Sequence, residues 1–96
     1  MRVDYDSEAD ALSIDLVEVD RWDFGEEIEN TSCTVAMRDG QPVNVELLSP
    51  AQNLPQLEVA AKRFGLDPQA LLAAARAGLS VPNRPVKVEV GSPSPA

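Results

Sequence analysis

The opening stretch Asp4-Tyr5-Asp6-Ser7-Glu8-Ala9-Asp10 sets four carboxylates, Asp4, Asp6, Glu8 and Asp10, on alternating positions. Carboxylates at such spacing could hold a calcium ion or share general acid–base work. A calcium loop begun at Asp4 would place Asp6 third and Glu8 fifth, but it then requires glycine sixth and a bidentate glutamate twelfth. Ala9 and Asp15 stand there instead. Acid–base catalysis needs two carboxyls in unlike environments, one of them buried; four acids in a short exposed connection are all solvated. The stretch reads better as a turn. Asp6 closes one strand, Ser7 to Ala9 turn the chain, and Asp10 brackets entry to the next strand, bringing Tyr5 towards Leu12.

Little else in the chain offers chemistry. There is no histidine and a single cysteine, Cys33, so neither a Cys/His zinc site nor a Ser–His or Cys–His pair can be assembled. Cys33 shares strand parity with Val35 and Met37 and is expected to be buried and inert. No cofactor motif is present, and no catalytic residue is assigned.

With 96 residues, 44% hydrophobic and 25% charged, the chain fits one small globular domain. Aromatics are scarce: Tyr5, Trp22, Phe24 and Phe64 are the whole supply. The core must therefore be aliphatic and thin, which would favour a homodimer, and Trp22 and Phe24 are expected to belong to it. No run resembles a secretion signal or a membrane span, so a cytoplasmic protein is expected. The net charge of −8 argues against a general nucleic-acid binder, which needs cations to replace phosphate counterions. Residues 1–50 hold thirteen acids against Arg2, Arg21 and Arg38; residues 51–96 hold Glu58, Asp67 and Glu89 against Lys62, Arg63, Arg76, Arg84 and Lys87. The acidic half suggests a surface for a basic protein partner, with Asp4, Asp6, Glu8, Asp10, Glu26 and Glu27 as its candidate residues. Lys62, Arg63 and Arg76 form a candidate basic surface.

These residues must be positioned by two kinds of element. The first half alternates with period two: Val3 and Tyr5; Leu12, Ile14 and Leu16; a weaker run Trp22, Phe24, Glu26, Ile28 with an acid on the inward parity; then Cys33, Val35, Met37 and Val43, Val45, Leu47 around Asp39-Gly40. An Asp-Gly pair between alternating runs predicts a hairpin. After Ser49-Pro50 the period becomes helical. Asn53 with Gln56 could form a capping box, Gly65 a stop, Asp67-Pro68 a second start, and Gly78 a second end. Val86, Val88 and Val90 predict a short last strand.

The expectation is a single α+β domain over 1–90. A four- to five-stranded antiparallel meander (1–48) carries two C-terminal helices (53–79) on one face, with a short edge strand over 85–90 and a disordered tail over 91–96. Residues 54–79 also read as a helix-turn-helix, so a dimeric DNA-binding regulator is the alternative function. Residues 68–77 would offer only Gln69 and Arg76 to base edges, a composition that favours packing.

The run Tyr5-Asp6-x-Glu8-Ala9-Asp10-Ala11-Leu12-x-Ile14-x-Leu16 resembles the opening signature of the bacterial family known as domain of unknown function 2283. Glu26 to Glu29, Asp39-Gly40 and Glu46-Leu47-Leu48 follow in that family's order, so the likeness spans about residues 3–48. Ser13, where the family usually carries a large aromatic, and Gln41-Pro42 depart from it. The resemblance implies a small sheet domain without known enzymatic activity, and some relatives look like partners of toxin-like proteins. It implies a non-enzymatic protein-binding role, antitoxin-like or regulatory.

Overall fold

The computed structural model describes residues 1–28 and 32–89. Strands β1 (Arg2–Asp6), β2 (Ala11–Asp15), β3 (Phe24–Glu27), β4 (Cys33–Arg38) and β5 (Gln41–Leu48) precede helices α1 (Pro50–Asn53), α2 (Pro55–Phe64) and α3 (Pro68–Ser80), and β6 (Val86–Lys87) follows them. The α+β class and the helices on one face are as expected. The sheet is six-stranded, every pairing antiparallel, in the order β3-β4-β5-β2-β1-β6. It is therefore not one sequential meander: β2 lies beside β5, and β2 to β5 form a Greek key. The last strand adds to β1, with Arg2 opposite Lys87. Val90, the end of the expected strand, and the expected tail 91–96 lie outside the described residues.

Alternation explains the strands. Val3 and Ile14 pair, Leu12 faces Leu47, and Ile14 and Val35 both face Val45. All six side chains are fully buried under the helices, each worth about 1.5–3 kcal/mol relative to exposure. The β4–β5 turn has positive φ at both Asp39 (51°) and Gly40 (77°), as a type I′ hairpin requires. A bulge follows in this hairpin: Ala36 pairs with Asn44 and Met37 with Pro42, leaving Val43 as the extra residue.

Asp67 caps α3 as expected, its Oδ1 accepting from the backbone N–H of Gln69 at 3.0 Å and of Ala70 at 3.4 Å. Gly65 ends α2 in the left-handed region, φ 69°. Two expectations fail. Asn53 caps nothing: it ends α1, and its Nδ2 donates to the carbonyls of Leu48 and Ser49, so α2 opens without a side-chain cap. Gly78 does not end α3, which runs on to Ser80. It lies on the buried stripe Ala70, Leu71, Ala74, Ala75, Gly78, where a Cβ would stand 2.7 Å from Val3 Cγ2 and 3.0 Å from Leu12 Cδ1. The absence of a side chain lets the helix approach the β1–β2 hairpin this closely.

Trp22 and Phe24, expected in the core, are 51% and 55% exposed. The helices pack chiefly over β1, β2, β4 and β5; at β3 the α2 residue Arg63 reaches Glu26, while Trp22 and Phe24 stay half exposed.

Gly78→Ala should destabilise the fold although alanine is the better helix former. The propensity gain of about 1 kcal/mol is outweighed by overpacking of about 1–3 kcal/mol. Urea unfolding should show a lower midpoint at unchanged slope, and an equal or higher midpoint would disprove the packing account.

Candidate functional site

The helices take one face of the sheet and leave the other bare. Along the bare face the register sets Asp4 beside Ser13, Ser13 beside Glu46, Glu46 beside Thr34, and Thr34 beside Glu27. At about 4.8 Å per strand this row is about 19 Å long. A neighbouring row runs Lys87, Arg2, Asp15, Asn44, and a third sets Asp6 and Leu48 on either side of Ala11. An open concavity of about 630 Å³ is lined by Asp4, Asp6, Ser13, Asp15 and Glu46 among others. Asn44 is the one buried polar residue here among the described residues, 4% exposed. Its Nδ2 donates to Ser13 Oγ and Asp15 Oδ1, each at 2.8 Å, which fixes the middle of the face.

Five acids, Asp4, Asp6, Asp15, Glu27 and Glu46, thus share this surface with two bases, Arg2 and Lys87, both at its β1–β6 end. Among the described residues the ion pairs are Arg63 with Glu26 at 3.3 Å and Arg38 with Asp39 at 4.0 Å. None of the five acids takes part.

The candidate residues named from sequence are only partly brought together. Asp4, Asp6 and Glu27 join the bare face. Glu8 sits at the tip of the first turn, exposed. Asp10 serves the turn: with φ 51°, its Oδ1 accepts from the Tyr5 hydroxyl at 2.6 Å. Glu26 falls on the opposite, helix-side face and is held by Arg63. Asp15 and Glu46 were missed. Their outward parity was readable, but the β2–β5 pairing that joins them was not.

The first turn is built by its own acids. Asp6 Oδ1 accepts from the backbone N–H of Glu8 and of Ala9, at 3.0 and 3.1 Å, an Asx turn. Asn83, φ 65°, clasps the same turn from the α3–β6 loop, donating from Nδ2 to Ser7 Oγ and accepting from the Ser7 N–H at Oδ1. Among the described residues no three Asp, Glu or Cys side chains come close enough to share a metal ion.

The expected basic surface is likewise divided. Arg63 is drawn to Glu26 and lies 5.7 Å from the Phe64 ring centroid. Lys62 is exposed on α2. Arg76 borders a groove of about 300 Å³ between α2 and α3, lined also by Glu58, Leu54 and Leu72. As a DNA reader α3 is poorly furnished: its stripe faces the sheet, and its exposed positions Pro68, Gln69, Ala73, Arg76 and Ser80 hold one cation. No described helix is long and apolar enough to cross a membrane. Cys33 is fully buried as expected, and burial pushes its thiol up to about 11, far from a reactive thiolate at neutral pH.

The Tyr5–Asp10 hydrogen bond raises the Tyr5 pKa above its ordinary 10.0, with desolvation and the Asp10 and Asp6 charges adding to it. A phenol that ionises later in the folded chain than in the unfolded one stabilises the fold below the unfolded value; that contribution fades as pH rises through the raised one. Tyr5 is the only tyrosine, so an alkaline ultraviolet titration should find a single delayed phenolate step, moved back towards 10 by Asp10→Ala. An unmoved step would remove Asp10 as the cause. Compared with protein-family models, with curated proteins and with solved structures, the chain matches none.

Proposed function

We propose that this chain is a cytoplasmic, non-enzymatic protein-binding module whose partner is a basic protein, in an antitoxin-like or regulatory role. The observation that carries the reading is the bare sheet face with its row of carboxylates free of ion pairs among the described residues. An antiparallel sheet can leave one face to water, and a solvated face needs no such bias in sign. A face with an excess of one sign focuses potential and steers an oppositely charged partner, raising its association rate in a salt-dependent way. The likeness of residues 3–48 to domain of unknown function 2283 supports the same role. A homodimer, the other expected assembly, would not pair this face with itself, since two acidic faces repel, but would set it against a different surface or leave it free.

Calorimetry against a small basic protein tests the reading. Binding should weaken as salt rises, and Asp4→Lys with Glu46→Lys should reduce it by about tenfold or more while leaving thermal unfolding nearly unchanged. Binding indifferent to both salt and the double variant would assign the contact elsewhere.

A further inference from the structure

We propose that the free edge of β3 takes up an extended, basic segment of the partner protein as an additional strand. This deepens the proposed function and rests on its assignment of a basic protein partner. β3 is the outermost strand, paired on one side only with β4. The Ile28 N–H donates to the Cys33 carbonyl at 2.8 Å, so in an antiparallel ladder Glu26 and Ile28 bond inward; at the strand's start the ladder is irregular, the Asp23 N–H also donating inward, to the Met37 carbonyl at 2.8 Å. The main-chain groups of Gly25 and Glu27 therefore face outward, unpaired among the described residues. Such an edge is a template for strand addition, and natural edges are usually blocked by Pro, Lys or a covering element. β3 reads Phe24-Gly25-Glu26-Glu27, with no Pro, no Lys and, among the described residues, no helix over its outer edge; it is short, and the charge on its inward parity, Glu26, is answered by Arg63.

The side chains at this edge specify the occupant. Phe24, on the helix-side face opposite Met37, is 55% exposed, and Trp22, just before the strand, is 51% exposed. Half of the chain's four aromatics thus stand uncovered at one margin, the composition of an interface anchor. Glu27 points to the bare acidic face, and residues 18–27 carry five acids against Arg21 alone. A strand added here would set one side-chain parity against Phe24 and the other beside Glu27. It therefore fits a segment alternating apolar with basic residues. A second copy is the poorer occupant. Two-fold antiparallel pairing about Gly25 sets Asp23 opposite Glu27, and pairing about Glu26 sets that carboxylate opposite itself, both destabilising.

The probe is a short, end-capped peptide of alternating Val and Lys, compared at low salt with a Pro–Lys peptide of equal charge that cannot form a regular ladder. Trp22 is the only tryptophan, so its emission reports the edge directly. The Val–Lys peptide should bind at least about tenfold more tightly than Pro–Lys and shift Trp22 emission to the blue. Phe24→Lys should abolish the shift, whereas Glu46→Lys should weaken affinity and keep it. Equal binding of both peptides with Trp22 unmoved would overturn strand addition and leave the acidic-face reading standing. If neither peptide binds, both readings fall.

Discussion

The contact between α3 and the β1–β2 hairpin is the constraint from which the other features follow. Ala70, Ala74, Ala75 and Gly78 let the helix lie close against Val3 and Leu12, so that few large side chains suffice to fill the interior. Two helices packed this tightly cover a limited area. α3 closes over β1 and β2, and α2 closes over β4 and β5. The opposite sheet face and the β3 margin are what remain, and both proposed contacts lie there.

The charge layout follows the same division. On the helix side, the single acid on the inward parity, Glu26, is answered by Arg63, whose guanidinium also lies near the Phe64 ring. On the bare side the acids form no ion pair among the described residues, and carboxylates from four strands share one solvated face. Solvation makes this affordable, since exposed acids about 10 Å apart repel weakly in a medium of high dielectric. A cation docking there would meet a potential summed over the row, which isolated surface acids do not provide.

Much of this architecture could be read from the residues. Period-two alternation located the strands, Asp39-Gly40 the central hairpin, and Asp67-Pro68 the start of α3. What could not be read is adjacency at long range. Parity sends Asp15 and Glu46 outward, yet nothing local says that β2 will lie beside β5, so the acidic face is legible only through Asp4, Asp6 and Glu27. Asn53 and Gly78 misled for a related reason. Each has a strong local meaning, cap or stop, that was overridden by a demand from elsewhere in the fold: donation to the end of β5 in one case, room for Val3 in the other. Scarcity of aromatics points Trp22 and Phe24 to the core, yet both lie at the sheet margin where the helices leave them half exposed.

The Asn83 clasp bears on how the chain folds. It joins Ser7 and Asn83 across 76 positions of sequence, and β6 itself is only two residues long. A strand so short contributes too little ladder to draw the chain back on its own. The entropy of closing so long a loop must already have been met by the packing of α3 on β1. The clasp and β6, with the Met1–Val88 and Asn83–Tyr5 backbone bonds beside them, therefore depend on a hairpin that α3 holds in place.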